Sequence, residues 1–252
     1  LEDTLRREGP ETVAAFFAEP VMGAGGVIVP PMGYFPAIQK VLKKHDILFV
    51  ADEVICGFGR LGMPWGSMAL GIEPDLVTIA KGLTSGYAPL SASLISERVW
   101  SVIEKHGSAI AQFSHGQTYS GHPISTAAAH ANLDIMENES LFDRAAKSGV
   151  YLQQRLRDEF DGHPNVGEIR GMGMIGAIDV VKNRDDRSSL FDPALKAPLR
   201  LFQRNLDKGV IVRAAGVSGV AVCPPYVIEK KEIDTVVGTM RESLDEVVRE
   251  IG

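Results

Sequence analysis

Cysteine is scarce in this sequence: the 252 residues contain only two, Cys56 and Cys223. Two cysteines cannot build the disulfide framework that is typical of small secreted proteins. We therefore expect a reduced environment and a cytoplasmic location. The length is sufficient for a sizeable hydrophobic core in one large or two modest domains.

Long apolar runs and an excess of positive charge are also missing. No run approaches the about 20 apolar residues that a membrane helix needs. The formal net charge is −6, which gives no electrostatic reason to expect nucleic-acid binding. We therefore expect neither a membrane nor a nucleic acid as a partner.

Metal-binding spacing is absent from the histidines of the 115–130 region. His115, His122 and His130 are seven and eight positions apart. Zinc ligands on one helix lie four positions apart, and other zinc motifs are also closely spaced. We therefore expect no metal site.

Two short apolar runs within residues 47–90 each end in a charged residue. ILFVA is followed by Asp52 and Glu53, and DLVTIA is followed by Lys81 and Gly82. Such runs are typical of buried parallel strands, whose carboxyl ends form the ligand crevice of open α/β sheets. A lysine there can form an imine with an aldehyde, and an aspartate can hold a protonated ring nitrogen. The pair is what a pyridoxal phosphate site needs, and solvated strand-end charges are the alternative.

The sequence around these two residues resembles the cofactor-lysine region of class III (omega-amino) aminotransferases. DEVICGFGRLG and GIEPDLVTIAKGLTSGYAPLSA carry this resemblance over more than forty consecutive positions. It implies an α/β fold of the fold-type I pyridoxal-phosphate transferases, with a mostly parallel sheet in the large domain. It also implies that Lys81 holds pyridoxal 5′-phosphate as an imine and moves the substrate proton. Asp52 would keep the ring nitrogen protonated, and Val54 would pack on the ring face.

GQTYSGHP, at residues 116–123, is a second segment characteristic of this family. In relatives, the threonine that matches Thr118 reaches the cofactor phosphate of the neighbouring subunit, so the resemblance implies a homodimer. Hydroxyls and N–H groups near a helix start suit a phosphate dianion. A turn that caps a helix is the alternative.

The resemblance covers essentially all of this chain but only the second part of the family's longer chains. We therefore expect a partial sequence. Residues 1–160 would be the C-terminal part of the large cofactor-binding domain, and residues 161–252 a smaller C-terminal α/β domain. The family's phosphate loop and the aromatic residue on the other ring face would lie upstream, so an inactive partial chain is one alternative.

A G-x-G-x-x-G pattern occurs at Gly171, Gly173 and Gly176. A dinucleotide-binding loop of this kind would open a helix. Here the following residues, AIDVV, are typical of a strand. We interpret the pattern as a hairpin between two strands.

Three positions bear on the substrate. In ornithine- and 4-aminobutyrate-type relatives, a glutamate in the first glycine-rich loop masks a substrate-binding arginine before a Pro-Pro pair. Here these positions hold Ala24 and Ala221. Arg213 instead matches the carboxylate-binding arginine of the omega-amino acid or amine:pyruvate branch, although the family's usual acidic residue after it is missing. Arginine suits a carboxylate because it can donate two parallel hydrogen bonds, and a surface charge is the alternative.

The resemblance thus implies transfer of an amino group from an omega-amino acid or amine to pyruvate or a similar keto acid. A 1,2-aminomutase of the glutamate-1-semialdehyde type shares Lys81 and Asp52 and is an alternative within the fold. It needs no second keto acid, so the requirement for pyruvate separates the two activities.

Overall fold

The computed structural model describes residues 1–110, 113 and 115–252. These residues form two compact units. The first unit contains Leu1–Pro20, Pro30–Phe58 and Trp65–Ser140. The second contains Val21–Val29, Gly59–Pro64 and Leu141–Gly252.

A four-stranded sheet forms the centre of the first unit. Its strands, in spatial order, are β1 (Ala15–Ala18), β2 (Leu48–Asp52), β3 (Leu76–Ile79) and β4 (Ala92–Ile95). The first three strands are parallel, and β4 is antiparallel to β3. Parallel neighbours need a long crossover connection, which is usually helical. The mostly parallel sheet predicted from the two apolar runs is confirmed.

The helices of the first unit include the crossover between β1 and β2. They are α1 (Glu2–Glu8), α2 (Tyr34–His45), α3 (Gly66–Leu70), α4 (Glu97–Ile110) and α5 (Pro123–Asn138). Phe35 and Leu42 of α2 lie seven residues apart, on one helical face, and both are buried. They pack with Leu5, Ile47 and Phe49 in one core cluster. Short 3-10 turns occur at Pro10–Thr12 and Lys81–Leu83.

The second unit is an antiparallel sheet with helices packed in its core. The sheet order is β5 (Val166–Met172), β6 (Ile175–Val180), β8 (Gly219–Val222) and β7 (Arg213–Ala215). The helices are α6 (Leu141–Phe160), α7 (Ala197–Asp207) and α8 (Lys230–Ile251), with a 3-10 turn at Pro193–Leu195. On α8 the buried side chains recur at helical spacing, at Ile233, Val237, Met240 and Leu244. Among the described helices, none is long and apolar enough to cross a membrane.

The two units are not divided at a single point of the chain. Helix α6 groups with the second unit, as do the short segments Val21–Val29 and Gly59–Pro64. The reason is packing, because Leu152, Leu156 and Phe160 of α6 are fully buried in the second unit's core. An amphipathic pattern shows that a helix has an apolar face but not which sheet that face covers.

The G-x-G-x-x-G segment lies in the β5–β6 hairpin, as predicted. Gly171 and Gly176 are paired across the two strands, and Gly173 adopts φ 58° in the turn. Helix α6 comes very close to this turn, since a Cβ built on Gly149 would lie 2.7 Å from backbone atoms of Gly173. The glycines therefore permit close helix–hairpin packing.

Candidate active site

Asp52 and the turn that carries Lys81 lie at the same edge of the first unit's sheet. β2 and β3 are parallel, and their register pairs Asp52 with Thr78. Asp52 is the last residue of β2, and Lys81 begins the 3-10 turn that follows β3. Asp52 thus lies at the carboxyl end of β2 and Lys81 just after the carboxyl end of the adjacent parallel strand β3, which is where α/β sheets bind ligands.

The Asp52 carboxylate is half-buried and has a local backbone partner. Its Oδ1 accepts a hydrogen bond of 3.0 Å from the backbone N–H of Val54. The bond holds the carboxylate against the start of the loop after β2. Val54 is itself half-buried beside it.

Glu53 holds the same loop from the buried side. Its side chain is fully buried, at 0% exposure. Its carboxylate accepts bonds from the backbone N–H groups of Gly66 (2.9 Å) and Ser67 (2.6 Å) and from the Ser67 hydroxyl (2.5 Å). Sequence reasoning assigned no role to Glu53, because only the fold brings Gly66 and Ser67 to it. The two adjacent acids therefore differ in their surroundings. The Glu53 carboxylate is buried and hydrogen-bonded on both oxygens, whereas the Asp52 carboxylate is half-buried at the edge of the sheet.

Lys81 occupies an unusual backbone conformation. Its φ is +36°, in the left-handed region that costs energy for residues other than glycine. The side chain is exposed, and among the described residues its amine has neither an ion-pair nor a hydrogen-bond partner. The next residue is packed closely, since a Cβ on Gly82 would lie 2.9 Å from Phe58 Cβ. The strained turn therefore presents an unpaired amine.

Thr118 lies in an exposed turn that precedes α5. The turn is closed by Ser120, whose backbone N–H donates to Gln117 O and whose hydroxyl accepts from Gln117 N, each at 2.9 Å. Helix α5 begins at Pro123 with His122 as its N-cap, and no side chain caps it. Thr118 is thus displayed on the surface of this unit rather than used to cap the helix.

The histidines of this region are not gathered around a common point for a metal. His122 precedes α5, and His130 is within it. Across the described part of the chain, His, Cys, Asp and Glu side chains form no group of three or more that could hold a metal ion.

The three substrate-related positions all fall in the second unit. Arg213 is the exposed first residue of β7, and its direct partner across the β7–β8 ladder is Ala221. Ala24 is exposed in the loop between Met22 and Ile28, which pair as an isolated bridge.

Arg170 connects that loop to the second unit's sheet. Its Nε donates to Gly26 O at 2.7 Å, and its guanidinium binds both carboxylate oxygens of Asp179 on β6. A Cβ on Gly216, in the β7–β8 turn, would lie 3.5 Å from Gly25 O. The loop with Ala24 therefore packs beside the turn that follows the strand of Arg213.

The first unit's residues fit pyridoxal phosphate. The Lys81 amine, which has no partner among the described residues, and the half-buried Asp52 carboxylate follow adjacent strands at one sheet edge. An amine and a carboxylate are the groups needed for an aldehyde carbon and a protonated ring nitrogen. A mostly parallel sheet with this pair at its edge is the arrangement expected of a pyridoxal-phosphate-dependent transferase. The chain belongs to the aminotransferase class-III family, whose model matches residues 1–244.

Known proteins similar to this chain are transaminases. It is 45% identical to diaminobutyrate–2-oxoglutarate transaminase of Halomonas elongata, over 98% of this chain and 53% of that protein. It is 44% identical to putrescine–pyruvate aminotransferase of Pseudomonas aeruginosa, over 98% of this chain and 52% of that protein. The chain thus spans about half the length of the curated relatives it matches.

Solved structures confirm the fold-type I α/β architecture and the family resemblance. A transaminase from directed evolution by ancestral reconstruction superposes with a TM-score of 0.96 at 52% identity, covering 100% of this chain and 55% of that one. The omega transaminase from Pseudomonas jessenii in complex with PMP gives 0.94 at 45% identity, covering 100% and 55%. Class III aminotransferases depend on pyridoxal phosphate.

Proposed function

We propose that this chain carries the lysine-bearing part of an aminotransferase site, which transfers an amino group from an omega-amino acid or amine to pyruvate or a similar keto acid. The observation that carries the proposal is the parallel pairing of β2 with β3, which puts Asp52 and the Lys81 turn at one sheet edge. Membership of the class III family supports it.

Each residue has a defined task in this proposal. When bound, pyridoxal phosphate supplies an aldehyde carbon and a ring that stabilises negative charge. Lys81 Nζ would hold the cofactor covalently at that carbon, with loss of water, and as a free amine it would move a proton from the substrate's amine-bearing carbon. The Asp52 carboxylate would hold the protonated ring nitrogen, and Val54 would contact the ring face.

Thr118 extends the proposal to a homodimer. Its hydroxyl lies in an exposed turn that uses Ser120 for its own closure, so Thr118 is available to another chain. We assign it to the cofactor phosphate of the partner subunit, where a hydroxyl donor suits a dianion.

Arg213 is the proposed carboxylate-binding residue. It is exposed, and the neighbouring position on β8 is the small Ala221. The similar protein of Pseudomonas aeruginosa is named for pyruvate, whereas that of Halomonas elongata is named for 2-oxoglutarate. Ala24 and Ala221 stand where ornithine- and 4-aminobutyrate-type relatives would carry a glutamate and an arginine. Their lack of charge favours pyruvate as the substrate.

Borohydride reduction of the protein mixed with pyridoxal phosphate, followed by peptide mapping, tests the proposal. We expect the pyridoxyl label on Lys81 and its loss in Lys81→Ala. Lys40→Ala is the matched control, because Lys40 is an exposed lysine of the same unit on α2. A label that persists in Lys81→Ala would contradict the proposal.

Two further measurements separate the alternatives. Turnover that needs no keto acid would indicate a 1,2-aminomutase. Absence of any absorbance change on adding pyridoxal phosphate would indicate an inactive partial chain.

A further inference from the structure

Asn132 of α5 makes hydrogen bonds to the turn that carries Lys81. Its Nδ2 donates to the carbonyl oxygens of Gly82 at 2.9 Å and Leu83 at 3.1 Å. Its Oδ1 accepts a 2.6 Å bond from the Ser85 hydroxyl. Donation to two carbonyls fixes which end of the amide faces the turn, since only the NH₂ group can donate.

The turn has weak support of its own. Leu83 N donates to Ala80 O at 2.9 Å, but Thr84 N reaches Lys81 O at 3.2 Å and Ser85 N reaches Gly82 O only at 3.5 Å. Lys81 and Ser85 both have positive φ, at +36° and +49°. A conformation of this kind persists only where surrounding groups hold it. The Asn132 amide supplies such a contact, because it bonds to the carbonyl oxygens of Gly82 and Leu83, which lie between Lys81 and Ser85.

We propose that Asn132 is a positioning residue, which holds the Lys81 turn in its strained conformation and thereby aims the lysine amine. This inference rests on the proposed role of Lys81. Among the described residues, the Asn132 side chain bonds to Gly82, Leu83 and Ser85, with a longer contact of 3.5 Å to Met136 Sδ on its own helix. Its loss should therefore change how fast Lys81 reacts rather than how tightly the cofactor is held. A displacement of the nucleophile by about 1 Å can lower a rate by roughly a hundredfold.

The variant Asn132→Leu removes the amide bonds without adding a charge. Asn138→Leu is the matched control, with the same substitution on the same helix at an exposed position. Asn132→Asp is the second variant: it keeps the acceptor for Ser85 and the size of the side chain, but it loses the donor to the two carbonyls. It keeps the test valid if the leucine variant fails to fold.

Hydrogen exchange on the protein without cofactor gives the first readout. The backbone amides of Leu83 and Thr84 should exchange at least about tenfold faster in the Asn132 variants, because loss of the hydrogen bonds to Gly82 O and Leu83 O lowers the local opening energy. In Asn138→Leu they should be unchanged. Unchanged exchange in both Asn132 variants would overturn the proposal.

The second readout separates positioning from a purely structural role. The limiting rate at which Lys81 captures the aldehyde should fall at least about tenfold in the Asn132 variants, at an unchanged half-saturating concentration of pyridoxal phosphate. Faster exchange with an unchanged limiting rate would mean that Asn132 only stabilises the turn. A wild-type protein labelled elsewhere than Lys81 would reject the proposed function itself, and the inference with it.

Discussion

Arg213 lies directly across from Ala221 in the antiparallel pairing of β7 with β8. Direct cross-strand partners project from the same face of a sheet, with Cβ atoms about 5 Å apart. The two positions predicted to match substrate-binding arginines of relatives are therefore neighbours in space. The small side chain of Ala221 leaves room for the long side chain of Arg213.

Replacing Arg213 by alanine is expected to weaken keto-acid recognition selectively. Because a guanidinium–carboxylate contact is lost, the KM for pyruvate should rise about tenfold or more, while the KM for an amine without a carboxylate changes less than about twofold. Arg157→Ala is the control, since Arg157 is an exposed arginine on α6 of the same unit. Steady-state kinetics with both substrates varied measures the difference, and equal losses for the two would refute the assignment.

Ala221→Arg is expected to destabilise the second unit, because it puts a second positive charge opposite Arg213 at a buried position. The free energy of unfolding should fall by roughly 1–3 kcal/mol in urea titrations. Ala221→Met adds similar length without charge and separates crowding from repulsion. In the Arg213→Ala background, Ala221→Arg should cost less than it does alone. An equal cost in both backgrounds would show that the two side chains do not interact.

Glu53→Gln is expected to loosen the loop after Asp52. The carboxylate accepts three hydrogen bonds from Gly66 and Ser67. A Gln side chain has an NH₂ group in place of one oxygen, and this group cannot accept a hydrogen bond from these donors. The free energy of unfolding should fall by about 2–3 kcal/mol, as is usual for lost bonds to a charged acceptor. Glu104→Gln, at an exposed position on α4, should stay near wild type. A stable Glu53→Gln variant would mean that the buried carboxylate is dispensable.

Two helical glycines are expected to respond in opposite directions to alanine. Gly149→Ala should destabilise by roughly 1–3 kcal/mol, because its Cβ would meet Gly173 backbone atoms at 2.7 Å. Gly238→Ala, on α8 with no atom within 4 Å of the added Cβ, should stabilise by about 0.5–1 kcal/mol through helix propensity alone. Thermal unfolding of the pair tests both signs. A neutral Gly149→Ala would show that α6 can move away from the hairpin.

The contribution of Asp245 to stability is expected to depend on pH. Burial alone raises the pKa of Asp245, but hydrogen bonds from His163 and Arg241 outweigh it, so the pKa is lowered. His163 donates from Nε2, because its Nδ1 accepts the Asn165 N–H at 3.0 Å. Because the pKa of Asp245 is lower in the folded protein, its ionised carboxylate stabilises the fold. This stabilisation is fully present above the pKa of an unfolded aspartate, about 3.9, and is lost as the pH falls through the pKa of the folded state.

Urea titrations at pH values from neutral to strongly acidic test this. The difference in unfolding free energy between wild type and Asp245→Asn should be constant near neutral pH and shrink once the pH falls below the unfolded value. Asp143→Asn, at an exposed position on α6, should show no such trend. A difference that is the same at every pH would mean that the carboxylate charge is not involved.

The amino-acid sequence by itself determined the strands and the residues that end them. Apolar runs ending at Asp52 and Lys81 indicate parallel strands with chemistry at their carboxyl ends, and the continued strand after Gly176 indicates a hairpin. The parallel strands and the hairpin are confirmed, because residues adjacent in the chain carry their signal, whereas the chemistry at the strand ends stays a prediction. The resemblance to a family rests on such local segments.

Only the tertiary structure decided which distant groups meet. Glu53 reaches Gly66 and Ser67, Asn132 reaches the Lys81 turn, and Arg213 faces Ala221. Packing also assigns α6 to the second unit. The physical reason is that hydrogen bonds and packing act through space, whereas a sequence pattern specifies that a residue is buried, polar or strained without specifying its partner.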